Sequence, residues 1–301
     1  MDQMKRVAYL ILCHTDPPQL ERLTNALDHR ADFYIHVDLK SDISAFMARS
    51  LPNTARFVEE RERVSWGGFS IVRATVKLIT AALEEDNHYS HLVLLSGLDY
   101  PIKPASKICD FLQSHADTQF IRFFDVGQCP DHHLKSTIHY HFRENLYNSS
   151  RLVYVDKAIR KVMTALASPL KKAPLHNITH CFGSQWWAIT LDCARYIMEY
   201  ISRHADLVRF YQSAHAPDEL FFHTIVANSP FLSQTRGIEP YPGPGTYKLA
   251  NLHFITKDLK KVFTEKDFSD LAQSEKYFAR KITSGQSLNL IKSIDTELLS
   301  R

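Results

Sequence analysis

Continuous apolar runs alternate with runs of helical period through the first half of the chain, and the alternation predicts strands separated by helices. Val7–Cys13 is an uninterrupted apolar run, closed at once by His14 and Asp16, and reads as a buried first strand. Pro17–Leu27 reads as a helix with Leu20, Leu23, Thr24 and Leu27 on one face. Phe33–Val37 is a second strand ending at Asp38, and Arg56–Val58 a short third one. Phe69–Leu83 sets Val72, Val76, Ile79 and Leu83 at the helical period, and His91–Leu95 is a fourth strand stopped by Ser96-Gly97. A helix over Ser106–Leu112 and a fifth strand over Phe120–Asp125 complete the series. Such alternation implies an α/β architecture with a mainly parallel sheet, whose ligands bind beyond the carboxyl ends of the strands. Those ends carry Cys13-His14, Asp38, Asp99 and Asp125.

The second half is less regular. Gly127–Ser150 is polar, holds His132, His133, His139, His141 and Arg143, and reads as a long functional loop. Leu152–Leu166 is a helix with a basic face of Lys157, Arg160 and Lys161. Gly183–Thr190 is a strand containing Trp186-Trp187, followed by helices over Leu191–His204 and Pro217–Ala227. Tyr241-Pro242-Gly243-Pro244-Gly245 must be a rigid turn. Glu265–Leu271 and Ser274–Arg280 have helical patterns. The economical count is one α/β domain over 1–301 with a C-terminal helical appendage.

Composition narrows the classes. With 45% hydrophobic and 23% charged residues, the 301-residue chain is neither disordered nor fibrous. A net charge of +3 is too small for a general nucleic-acid binder. The five cysteines are odd in number and form no C-x-x-C, which points to a reducing compartment. Lys5-Arg6 before Val7–Cys13 imitates a short signal peptide but lacks a cleavage site, and no apolar stretch reaches the ~20 residues of a membrane span. A cytoplasmic protein is the expectation, with peripheral membrane association left open.

Several motifs are candidates for chemistry. Pro217-Asp218-Glu219 reads most plainly as a good helix start; the functional reading is a first-turn carboxylate held ionised by the helix dipole and poised as a general base. The sixteen histidines suggest a metal, yet no H-E-x-x-H occurs, and His36 falls inside an apolar strand. Trp66-Gly67-Gly68-Phe69-Ser70 opens a helix, where free N–H groups attract anions. Asp99, in Ser96-Gly97-Leu98-Asp99-Tyr100-Pro101, suits either a sugar hydroxyl or a turn. Arg280-Lys281 suits a diphosphate, although a solvated face is the plainer reading.

In this order the segments resemble the core-2/I-branching family, the branching N-acetylglucosaminyltransferases and peptide O-xylosyltransferases of glycosyltransferase family 14. The resemblance rests on His36–Ser41, Val64–Ser70, Leu94–Lys103, Gly183–Trp187, Pro217–Glu219, Phe263–Asp267 and Phe278–Lys281. It implies a GT-A-like fold and a UDP-sugar donor. Inversion without a metal or cofactor and a glycan or glycoconjugate acceptor follow from it too. It makes Glu219 the general base and places His14, Asp38, Trp66, Ser70, Asp99, Arg280, Lys281 and Lys261 toward the donor. Asp218, Trp186, Arg143 and His141 fall toward the acceptor. By the same likeness 1–126 would be the nucleotide-sugar half, 127–236 the acceptor and base half, and 237–301 a tail closing on the diphosphate. One departure stands out: Lys257 occupies the place where the family commonly carries an acceptor-stacking Trp. A zinc hydrolase built on the histidine loop and a non-catalytic sugar- or nucleotide-binding module are the alternatives from other classes.

Overall fold

The computed structural model describes residues 5–85, 88–129, 137–144, 152–167 and 169–300. At its centre the strand β1 (Arg6–Cys13) pairs in parallel with β2 (Ala31–Val37) on one side and β4 (Tyr89–Ser96) on the other. The short β3 (Ala55–Phe57) extends the sheet beyond β2. Every residue of β2 and β4 is buried, which is why these strands read as near-continuous apolar runs. Alternate side chains of β1 serve two cores. Ala8 and Leu10 face α3 (Ser70–Glu84) and α6 (Leu191–Arg203); Val7, Tyr9 and Ile11 face α1 (Pro17–Ala26) and α4 (Ala105–Ser114). The α/β, GT-A-like layering with a mainly parallel central sheet is therefore the architecture of the chain.

Several predicted elements differ. Only Phe123–Asp125 of the expected fifth strand is extended; it forms β6 of a separate sheet, flanked by β7 (Cys181–Gly183) and β9 (Ile238–Glu239). The predicted strand Gly183–Thr190 breaks between β7 and β8 (Ala188–Thr190), and β8 joins β4 antiparallel. Trp186-Trp187 lies in this break, where the chain leaves one sheet for the other. Ser274–Arg280 is not helical. Phe278–Arg280 is the strand β11, between β10 (His253–Phe254) and β5 (Asp99–Pro101), because Phe278 enters the core against Tyr9 and Arg280 meets Asp99. The tail is thus pinned by a sheet rather than appended. Beneath it Tyr100, Ile102, Phe263, Ala279, Ile282 and Leu290 form a third core.

Gly183 shows how tightly β7 is held between its β6 neighbour and the helix that carries His223. A Cβ there would stand 2.1 Å from the Arg122 carbonyl and 2.5 Å from the His223 ring. His223 is fully buried and donates through Nε2 to the Ser184 carbonyl at 3.0 Å, fixing the segment that leads to Trp186. Gly183→Ala is expected to lower stability by at least about 1–3 kcal/mol, read as a fall in the urea midpoint. A midpoint equal to wild type would contradict this packing.

Candidate active site

The carboxyl ends of β1, β2 and β4 open into a cavity of about 740 Å³. His14 follows β1 and lines it; Asp38 follows β2 and lines it beside Lys40. Asp38 is positioned by its own turn. Its N–H donates to the Cys13 carbonyl at 2.8 Å, and its carboxylate accepts from the Lys40 N–H at 2.9 Å. Two residues earlier, His36 is 1% exposed and accepts from the Glu62 N–H through Nε2 at 2.8 Å. Burial lowers its pKa to about 4, with Asp38 and Glu62 opposing, so His36 is a neutral structural imidazole.

On the opposite wall stands Arg280, held by Asp99. The Asp99 carboxylate is fully buried. It accepts from the Ser96 N–H at 2.8 Å, from His253 Nε2 at 3.1 Å and from the Arg280 guanidinium at 3.1 Å. The Ser96 hydroxyl also contacts Arg280. Burial alone would raise the Asp99 pKa, but Arg280, His253 and the Ser96 N–H outweigh it and hold the group below its ordinary value. Arg280 then lies 4.4 Å above the Trp186 ring, a cation–π contact that orients its outer edge. Arg280 and Lys281 both line the cavity. Lys281 has a lowered pKa, first from burial and next from Arg280, with Asp258 and Asp99 opposing. Asp99 itself is not on the cavity wall. It lies behind Arg280, so its placement fits positioning rather than contact with a sugar.

Glu219 enters from a third direction. Ala216 adopts the left-handed region at φ 50, with its N–H donating to the Gly67 carbonyl at 3.1 Å. A non-glycine residue there costs about 1–2 kcal/mol, and the corner aims the next residues into the cavity. Pro217–Glu219 is a single 3₁₀ turn, and the helix α8 (Phe221–Ala227) starts only after it. The predicted continuous helix from Pro217 is therefore corrected, and so is the expectation that its dipole keeps Glu219 ionised. Burial raises Glu219 well above the ordinary carboxylate value, and Asp218 raises it further; the Thr246 hydroxyl only partly opposes this. Burial also pushes Asp218 up to about 6, against backbone hydrogen bonds. Asp218 and Glu219 line the same cavity as Arg280.

The remaining predicted residues separate into near and far. Trp66 lines the mouth, 81% exposed, with its ring edge-on to His215 at 5.8 Å. His141 lies 5.8 Å from His215 in turn, and the Arg143 charge helps lower the His215 pKa to about 4 after burial has done most of it. Neither His141 nor Arg143 is itself among the lining residues. Ser70 is buried, and its hydroxyl accepts from the Ser65 N–H at 2.8 Å, so it supports the Trp66 turn from behind. The helix start predicted to attract an anion already has one. The Glu144 carboxylate accepts from the Ser70 N–H, and a Cβ on Gly68 would meet it at 2.8 Å. Lys261 is drawn to Asp267 and over the Phe263 ring at 5.3 Å, and does not line the cavity. Lys257 is exposed, and Ile255 and Leu259 supply the apolar wall there.

His132 and His133 lie outside the described residues, as do parts of the predicted loop Gly127–Ser150. Among the described residues no three His, Cys, Asp or Glu side chains converge as metal ligands. Four residues that shape the site have no motif of their own: His215, Thr246, His253 and Glu144. Only His215 carries a usable signal, since it stands two residues before the Pro217-Asp218-Glu219 corner.

Comparison with known proteins identifies the family of the chain. The family model described as Core-2/I-Branching enzyme matches residues 7–236. Xylosyltransferase 2 of Canis lupus familiaris is 28% identical over 239 residues, which is 75% of this chain and 25% of that protein. Xylosyltransferase 2 of Homo sapiens is 28% identical over 238 residues, 74% of this chain and 25% of that one. The N-acetyllactosaminide beta-1,6-N-acetylglucosaminyl-transferase of Mus musculus is 26% identical over 225 residues, 73% of this chain and 52% of that protein. The chain thus spans about a quarter to a half of the length of these relatives, and the match to the family runs through the strands, the Trp66 turn and the Glu219 corner. It belongs to the Core-2/I-branching enzyme family.

Proposed function

We propose that this chain is an inverting, metal-independent glycosyltransferase that moves a sugar from a UDP-sugar to a hydroxyl of a glycan or glycoconjugate. The observation that carries the reading is one cavity that joins the Glu219 carboxyl to the cationic edge of Arg280 and Lys281. Relatives named for xylosyl and N-acetylglucosaminyl transfer support the reaction class, with N-acetylglucosamine the first sugar to try and xylose the second. Glu219 takes the proton of the acceptor hydroxyl while that oxygen bonds to the anomeric carbon. The bond from that carbon to the diphosphate breaks on the opposite face, and UDP departs with the electron pair. One in-line displacement inverts the configuration and needs one base. Charge growing on the leaving oxygen meets cations already in place, since Asp99 and Trp186 fix Arg280 before substrate arrives.

The base works only when ionised, and its pKa is raised. The acid limb of the kcat/KM profile should therefore lie above the ordinary carboxylate range, and the depressed pKa of Lys281 should bring the alkaline limb below the ordinary lysine range. Glu219→Gln is expected to lower kcat about 10²–10⁴-fold while UDP affinity stays, measured as UDP release from UDP-N-acetylglucosamine and UDP-xylose in EDTA. Wild-type turnover in that variant would remove Glu219 from the role; UDP affinity without any turnover in wild type would make the chain a binding module.

Asp218 gives a separate handle. Its neutral form is favoured by the fold, so its stabilising contribution is complete below its unfolded pKa and is lost as pH rises through about 6. Asp218→Asn should melt roughly 2 °C higher than wild type at pH 8 and no higher at pH 4. The same variant removes a charge that raises Glu219, so the acid limb of activity should move to lower pH. An unmoved limb would show that the two carboxyls do not interact.

A further inference from the structure

Away from the cleft, apolar exposure is concentrated in one place. Of the twelve large apolar residues exposed among the described residues, six lie between positions 152 and 170: Leu152, Tyr154, Val155, Val162, Leu166 and Leu170. Tyr154 is 84% exposed and Leu166 75%. Four of the six belong to the helix α5 (Val153–Ala167), where Tyr154, Ala158, Val162 and Leu166 recur at helical spacing and all face outward.

The other side of α5 explains why this face is outward. Asp156 is buried and pairs with Arg160 at 2.8 Å; Arg160 donates to the Arg143 carbonyl at 2.7 Å. The Thr164 hydroxyl accepts from the Phe142 N–H at 3.2 Å, and the buried Lys172 just beyond the helix donates to the Thr137 carbonyl at 2.9 Å. These contacts fix α5 on residues 137–144 by its polar side. Charge on the free side has a single sign. Positions 152–172 contain one carboxylate, Asp156, already paired, whereas Lys157, Lys161 and Lys171 are exposed. An apolar stripe bordered by lysines, on a helix anchored by its other face, is the pattern of a helix that lies in a lipid interface.

We propose that this face of α5 docks the chain on an anionic lipid surface. The charge selects that occupant over a second copy of the chain, because a two-fold pairing of identical faces would set the same lysines against each other. Docking has a consequence for the cleft. Residues 137–144 link α5 to its rim, with His141 donating its N–H to the Ser213 carbonyl at 2.7 Å beside His215. The acceptor edge would then face the headgroups, which suits an acceptor carried on the membrane. This last step rests on the proposed transferase reading, whereas the docking itself does not.

The test is co-sedimentation of the full chain with vesicles of phosphatidylcholine alone and of equimolar phosphatidylcholine and phosphatidylglycerol. Binding is expected only to the mixed vesicles and should weaken as salt rises. Lys157→Ala/Lys161→Ala should bind them about 30-fold more weakly, from roughly fivefold per lysine near such a surface. Val162→Asp/Leu166→Asp should lose binding, while Met47→Asp, at a 61% exposed site outside this face, should not. Circular dichroism and cooperative melting of each variant separate lost docking from lost folding. Sedimentation with neither vesicle, or equal sedimentation of wild type and Val162→Asp/Leu166→Asp, would overturn the proposal. So would a dimer that these aspartates dissolve without any lipid binding. Absence of sugar transfer would leave the vesicle result untouched, so the two readings fail separately.

Discussion

The buried pair of Asp99 and Arg280 is the constraint on which the site depends. A carboxylate removed from water is tolerated only when fully partnered, and Asp99 is, by a backbone N–H, an imidazole and a guanidinium. Each partner comes from a different part of the chain: Ser96 closes β4, His253 sits in β10, and Arg280 ends β11. The Gln19 side chain adds α1 through the Asp99 carbonyl at 3.2 Å. Satisfying one charge therefore draws the tail onto the central sheet and leaves the outer edge of Arg280 on the cleft. Trp186, in the break between β7 and β8, completes the cradle from the third sheet.

The Glu219 corner works in the opposite sense. There burial is imposed on carboxyls with no cation among the described residues to answer it, so their pKa values rise instead of falling. One cavity thus holds a wall that favours negative charge and a wall that resists it. That asymmetry is what the proposed transfer would use, since a leaving diphosphate would need stabilised charge and a base would need appetite for a proton. The Trp66 turn fits the same division, because Glu144 satisfies the helix start and the proposed anion contacts would fall to Arg280 and Lys281.

Much of this was legible in the sequence where the physics is local. β1, β2, β4 and α3 announce themselves because both faces of the sheet are covered and the helix is amphipathic over fifteen residues. Asp38, Trp66 and Glu219 were findable because turns and motifs carry them. The misses share a cause. β5, β7, β8 and β11 are three residues long, too short for period-two alternation to register. Asp99 and Arg280 are 181 positions apart, and nothing near either residue indicates that each is the other's partner. Ser70 and Lys261 are placed toward the donor by the resemblance, but only packing shows that Ser65 and Asp267 have claimed them.

In the proposed transferase, cations held by this framework, rather than a metal, would grip the diphosphate. Calorimetric titration of UDP into the protein, in EDTA and again with excess Mn²⁺, tests it most directly. The same affinity is expected in both, with a loss of about 1.5–3 kcal/mol in Lys281→Ala, as when a charged hydrogen-bond donor is removed. UDP affinity that appears only with Mn²⁺, or that Lys281→Ala leaves unchanged, would contradict it.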